Sequence, residues 1–216
     1  MILPFRTDAD VDLAVEPVRG QLARDLLLGY PTETVYGLGS APTEAGTSAL
    51  AQLKGRPKGK PFLLLISKPA MAERYGLVFT TAARALAEAF WPGPLTLVLR
   101  GGEGRLPDLL RGPEGGIAVR WTSHRQMARL IGALDFAVTS TSANRPGGPP
   151  APGADRLAEL FAGPVEQEEL LVLDGGVLGN VPPSTLIDCT GPVTALVREG
   201  AIPRAELRRA VGRFAP

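Results

Sequence analysis

Apolar runs of strand length, separated by segments of helix length, constrain this chain more than any other feature. Leu26 to Tyr30, Pro61 to Ile66, Leu95 to Leu99, Ile117 to Arg120 and Phe136 to Ser140 are each four to six residues long and mostly apolar. Runs of this kind suit strands buried on both faces. Between them, Thr43 to Leu53, Thr81 to Phe90 and Ser123 to Ile131 carry helical spacing, with Ser123 as a cap for the last. Trp91-Pro92-Gly93-Pro94 stops the second of these helices. Upstream, Asp8 or Asp10 caps a helix to Arg24 that sets Val11, Val15, Val18 and Leu22 on one side, with Leu26 beyond. Downstream, Leu170 to Leu173, Thr185 to Asp188 and Val193 to Val197 read as short strands, and Pro203 to Val211 as a closing helix. Gly101 to Gly116 and Arg145 to Pro152 read as loops. Strands alternating with helices predict an α/β protein with a largely buried mixed sheet. No shift in composition divides residues 1–216, so one domain is expected.

Composition removes several classes. With 44% hydrophobic and 21% charged residues the chain can bury a core, and disorder along its length is not expected. The formal charge of +1 gives no global field for nucleic acid, so any RNA contact needs a local basic patch. Cys189 is the single cysteine. It forms no internal disulfide and no Cys/His zinc cluster, which fits a reducing, cytoplasmic setting. The start Met1-Ile2-Leu3-Pro4-Phe5-Arg6 does not read as a signal peptide, and no run is long enough to cross a membrane. The 26 glycines and 21 prolines form no repeat and imply many tight turns.

Three segments carry chemistry. Pro31 to Gly39 (PTETVYGLG) groups hydroxyls, a carboxylate and a phenol just after a buried strand, where open α/β sheets bind ligands. Composition alone favours a Thr-rich turn at a strand end, its glycines supplying positive φ. Lys54 to Pro61 (KGRPKGKP) puts Lys54, Arg56, Lys58 and Lys60 within seven residues. Interleaved Gly and Pro make this a loop of fixed cations suited to polyphosphate, or else a solvated basic turn. In an extended loop, Lys54 and Arg56 would point to one side and grip one phosphate together, with Lys58 and Lys60 both on that side as well. The spacing is neither a Walker A loop nor G-x-G-x-x-G. Thr139 to Asn144 (TSTSAN) sets small polar groups at a strand end, suited to phosphate or ribose, or to a simple turn. Serine nucleophilic chemistry is discounted, because His124 is the one histidine and no G-x-S-x-G elbow exists. His124 is expected to cap or line the following helix. Arg120 and Arg198 end strands, and Ser184-Thr185 open one; each also has an ordinary surface reading.

In order, PTETVYGLG (31–39), KGRPKGKP (54–61), WPGPLTLVL (91–99), AVR (118–120), STSAN (140–144), STLIDCTG (184–191) and LVREG (196–200) resemble the YrdC-like threonylcarbamoyl-AMP synthase family. The resemblance implies a twisted, mostly mixed open α/β sheet with flanking helices around a large, partly basic cavity. It implies a nucleotidyltransferase that condenses L-threonine, bicarbonate and ATP to threonylcarbamoyl-AMP and pyrophosphate. Mg2+ would come with the ATP, and a separate complex would pass the group to tRNA. The family's K-x-R and S-x-N pattern falls on Lys54, Arg56, Ser142 and Asn144, which the resemblance makes catalytic. It assigns Thr34, Arg120, Ser140 and Ser184 to threonine. Arg56, Lys60, Ser142 and Arg198 fall at nucleotide positions, with Pro150 and Gly116 lining the pocket by backbone. No protein metal ligand is implied. This chain has Lys60 where many members have Asn, Leu65 where they have His, and Arg145-Pro146-Gly147 in place of L-S-G. It resembles the single-domain form. Two other readings are a double-stranded RNA-binding module, marked by steep salt dependence without turnover, and a carbamoyl-adenylate domain of hydrogenase-maturation type.

Overall fold

A computed structural model describes residues 1–56, 60–179 and 181–211. Among these residues, eleven strands form one mixed sheet. They are β1 (Ile2–Pro4), β2 (Leu27–Tyr30), β3 (Gly37–Gly39), β4 (Leu63–Ile66), β5 (Leu77–Val78), β6 (Leu95–Gly101), β7 (Ile117–Trp121), β8 (Val138–Ser142), β9 (Leu170–Asp174), β10 (Thr185–Asp188) and β11 (Ala195–Arg198). Their spatial order is β1-β9-β2-β3-β8-β4-β7-β6-β10-β11, with β5 paired to β6. The sheet is therefore open, with β1 and β11 at its two ends. β9 runs parallel to both β1 and β2, β4 to β7, and β6 to β10; β3, β8 and β11 pair antiparallel with their neighbours. The expected α/β class and mixed open sheet are thus observed.

Helix α1 (Asp8–Ala23) starts one residue upstream of the expected caps. Thr7 Oγ1 accepts from the Asp10 amide at 3.1 Å, and the Asp10 carboxylate accepts from the Thr7 amide at 2.8 Å. This reciprocal pair satisfies two amides that the first turn leaves without partners, so Thr7 is the cap and Asp10 its complement. Val11, Val18 and Leu22 are buried as the spacing requires. Helix α2 (Glu44–Lys54) ends at Gly55, whose φ of +52° is left-handed and suits glycine. Helix α5 (Arg125–Leu134) begins later than expected, and its cap is His124 and not Ser123. Nδ1 of His124 accepts from the Met127 amide at 3.3 Å, and the ring is half-buried near Phe5.

Helices α3 (Pro69–Arg74), α4 (Thr81–Phe90), α6 (Ala154–Leu160), α7 (Ala162–Glu166) and α8 (Arg204–Val211) complete the set among the described residues. One face of the central strands, with Leu64, Ile66, Leu97, Ile117 and Val119, is fully buried in the core, as are Met127, Leu130 and Ile131 of α5. The other face is the floor of a cleft. The sequence reading left β1, β3, β5, α3, α6 and α7 unassigned. Strand β3 is short and holds two glycines because the packing is close there. A Cβ at Gly39 would stand 2.0 Å from the Thr139 carbonyl, and one at Gly37 would stand 2.8 Å from the Tyr30 ring.

Candidate functional site

The sheet register lines up the cleft floor. Arg198 pairs with Leu186, Leu186 with Thr96, and Arg120 with Leu65. The antiparallel register of β6 and β7 (Leu97 with Val119, Val98 with Ala118) continues to set Thr96 beside Arg120. Paired residues in a sheet point to the same face. Arg198, Leu186, Thr96, Arg120 and Leu65 therefore form one transverse row. A second row holds Ala118, Leu63 and Ser140. The walls come from Thr32, Thr34, Val35 and Gly37 on one side, Arg56, Lys60 and Pro61 on another, and the proline-rich segments Pro149–Pro152 and Pro182–Pro183 above. The enclosed volume is about 930 Å³, which is in the size range of small-molecule sites.

Nine expected site residues line this one cleft: Thr34, Arg56, Lys60, Arg120, Ser140, Ser142, Pro150, Ser184 and Arg198. Among the described residues, four cations and no carboxylate line it. Such a cleft favours anions. Arg120 is 5% exposed, and burial pulls its pKa down, opposed by Glu33 and Tyr30. Its Nη1 donates to Thr34 Oγ1 and its Nη2 to Glu33 Oε2, both at 3.3 Å, while Nε is buried without a protein partner. A guanidinium has five donors, so most of this one is unused by protein. Arg198 donates to the Ser184 carbonyl at 2.8 Å, and Ser184 Oγ bonds Thr96 Oγ1 at 2.8 Å. Burial and the Arg120 charge both lower the Arg198 pKa.

Arg56 braces its own loop. It donates to the Lys60 carbonyl (2.7 Å), the Pro61 carbonyl (2.6 Å) and Thr141 Oγ1 (2.9 Å), and it stacks 4.5 Å over the Phe62 ring. Burial lowers its pKa. Lys60 is exposed on the rim. Lys58 lies outside the described residues.

Two expectations are corrected. Lys54 and Arg56 do not share one side of an extended segment: Lys54 ends α2, and the left-handed Gly55 separates them. Lys54, 7% exposed, is not among the lining residues. Its Nζ donates to the Ser142 carbonyl and Asn144 Oδ1, both at 2.9 Å, and to the Asn144 carbonyl. Three donors meet three acceptors, which leaves none for a phosphate. Asn144 also stands behind the wall. Its amide donates to the carbonyls of Arg145 (3.0 Å) and Gly148 (2.8 Å), and its Oδ1 accepts from Ser142 Oγ at 2.7 Å. Lys54 and Asn144 thus hold the turn that presents Ser142 and Pro150. The second correction is Gly116, which packs against Val98 and Thr190 and does not line the cleft.

Leu65 is fully buried beside Arg120 in the floor. In the 145–147 departure, Arg145 stacks 4.6 Å over Phe161 and donates to the Leu160 carbonyl at 3.0 Å, which ties the loop to α6. Sequence alone singles out neither Thr96 nor Thr122, and it assigns no individual role to Glu33 or Thr141 within the segments that hold them. The available signal for Thr96 was a single hydroxyl in an otherwise apolar strand. For Glu33 it was a lone acid between two threonines. Among the described residues, no group of three or more His, Cys, Asp or Glu could hold a metal, and no helix is long and apolar enough to cross a membrane.

An open α/β sheet whose floor carries a cationic, hydroxyl-rich cleft has the chemistry to suit small anionic or zwitterionic ligands. Residues 21–200 match the Sua5/YciO/YrdC family model, described as "Telomere recombination", and the chain belongs to that family. It is 34% identical over 194 residues to the threonylcarbamoyl-AMP synthase of Pyrococcus abyssi, covering 89% of this chain and 56% of that protein. It is 37% identical over 174 residues to the threonylcarbamoyl-AMP synthase of Thiobacillus denitrificans, covering 80% and 89%. The solved structure of P. abyssi Sua5 complexed with L-threonine superposes with a TM-score of 0.87 at 31% identity, over 99% of this chain and 62% of that one. The chain therefore spans little more than half the length of its P. abyssi relative.

Proposed function

We propose that this protein is a threonylcarbamoyl-AMP synthase in which residues 1–216 form one domain. It would condense L-threonine, bicarbonate and ATP and release pyrophosphate. One observation carries this reading: the buried, half-used guanidinium of Arg120 stands among hydroxyls in the same cleft as Arg56, Lys60 and Arg198. Arg120 with Thr34, Ser140 and Ser184 suits an amino-acid carboxylate and its polar groups. Arg56, Lys60, Ser142 and Arg198 suit a nucleotide, with Pro150 packed against it. The reaction needs the carbamate oxygen of N-carboxythreonine to attack the α-phosphorus while pyrophosphate leaves. No side-chain nucleophile is required. The protein's part is to align the two anions and offset charge spreading over phosphate oxygens. Mg2+ would enter with the nucleotide, since the lining holds cations and hydroxyls among its described residues. The threonylcarbamoyl group would then pass to tRNA through a separate complex, in the cytoplasm, with AMP leaving; a direct RNA contact is not needed for the chemistry.

The test is pyrophosphate release with substrates omitted in turn. Release should require ATP, bicarbonate and L-threonine together. Equal release without amino acid or without bicarbonate would rule the assignment out. A further expectation concerns the rim. Lys60→Ala should raise the KM for ATP by up to about fivefold, the scale of one exposed charge contact. Lys60→Asn should raise it less. Steady-state kinetics at varied ATP distinguish these from a change in kcat.

A further inference from the structure

We infer that Glu33 is a positioning residue that holds the Arg120 guanidinium in the cleft floor for the carboxylate of the amino-acid substrate. The inference rests on the threonine reading above. The turn that carries Glu33 is fixed locally. Thr32 Oγ1 accepts from the amides of Thr34 and Val35, each at 3.2 Å, and donates to the Val35 carbonyl at 2.7 Å. Thr32 and Thr34 line the cleft, whereas Glu33 between them is not among the lining residues. Its carboxylate meets the end of β7.

There, Glu33 Oε2 accepts from two residues at alternate positions of one chain segment, Arg120 Nη2 at 3.3 Å and the hydroxyl of Thr122. Thr122 is fully buried, and its oxygen also accepts from the His124 amide at 3.2 Å ahead of α5. The acceptor is thus locked at both ends, by the Thr32 turn and by the start of α5. Arg120 is held far less. Its protein contacts are one hydroxyl and one carboxylate oxygen, both long, and its Nε has no partner. A buried guanidinium without a counter-charge is costly and tends to leave its site. Glu33 supplies that charge while the cleft holds no substrate. Its contact uses one Nη, so the remaining donors stay available. Glu33 Oε1 is buried and also unpartnered, so the carboxylate has no second anchor to draw it elsewhere.

Titration calorimetry with L-threonine, and steady-state kinetics, on wild type, Glu33→Ala, Glu33→Gln and Thr122→Val test this. Glu33→Ala should raise the Kd and KM for threonine roughly tenfold, the scale on which outer partners of a ligating group act. The KM for ATP should stay within about twofold. Glu33→Gln keeps an acceptor oxygen for Thr122 and Arg120 but not the counter-charge, so it should recover part of the threonine affinity. Thr122→Val should shift threonine in the same direction as Glu33→Ala, by less. The inference fails if Glu33→Ala leaves threonine binding unchanged. It also fails if both KM values rise together with a collapsed melting curve, which is the mark of a merely structural role. A Glu33→Gln variant that loses kcat at unchanged threonine KM would overturn it in favour of direct proton transfer by the carboxylate. Absence of threonine binding to wild type would sink the threonine reading itself; normal wild-type binding matched by Glu33→Ala would sink only this inference.

Discussion

Arg120→Ala is expected to raise the KM for L-threonine at least tenfold and leave that for ATP nearly unmoved. A charge-assisted bond to a carboxylate contributes about 1.5–3 kcal/mol, or about ten- to a hundredfold in affinity. The low exposure of Arg120 keeps water from screening the contact. The substitution has a second consequence. It leaves Glu33 as a largely buried carboxylate without its counter-charge, which destabilises the fold. Glu33→Gln in the same background should therefore restore the melting temperature without restoring threonine use. A variant whose threonine KM stays put while ATP binding collapses would reverse the assignment of the two ends of the cleft.

Lys54→Ala should lower kcat by about a hundredfold, the effect of displacing a reacting group by an ångström. The reason differs from a lost phosphate contact. The ammonium joins the Ser142 and Asn144 carbonyls to the Asn144 side chain, and without it the turn presenting Ser142 and Pro150 loosens. Lys54→Met, which fills the space but donates nothing, should fall as far. Burial, then the Arg56 and Arg145 charges, pull the Lys54 pKa down to about 8. Above that pH the neutral amine has two donors for three acceptors, so kcat should decline through a basic limb near pH 8 that Lys54 variants lack. Stability moves the other way. The folded value lies below the ordinary 10.5, so the unfolded chain holds the proton more tightly, and the penalty of burying the charge is relieved as pH rises from about 8 to 10.5. A Lys54→Ala enzyme with wild-type kcat would remove the residue from the site altogether.

The parts of this architecture that repeat a simple physical pattern were legible in the sequence. Buried strands show as apolar runs, and Leu64, Leu97 and Val119 sit where such runs predict. Hydroxyls after two of those strands and clustered cations ahead of a third marked the cleft, although it lies over a face of the sheet and not beyond the strand ends. What stayed hidden depends on distant pairing. Strand β3 has too few residues for a period, and its glycines answer to the Thr139 carbonyl and the Tyr30 ring. Parity within the Lys54 to Pro61 loop misled because a helix end and a left-handed glycine intervene. Glu33 looked incidental because its partners, Arg120 and Thr122, stand 87 and 89 residues away.

The strand order sets when this chain can first become competent during synthesis. β2 lies between β3 and β9, and the row that carries Arg120 is completed only by Leu186 of β10 and Arg198 of β11. A nascent chain that has emerged as far as Ser142 possesses Thr34, Arg56, Arg120 and Ser140 but lacks one end of its floor. Closing the loops that bring β9 and β10 home carries a large entropic cost before any contact rewards it. Substrate recognition should thus arrive late and all at once, so ligand binding to stalled ribosomal chains of graded length would report the moment the sheet is finished.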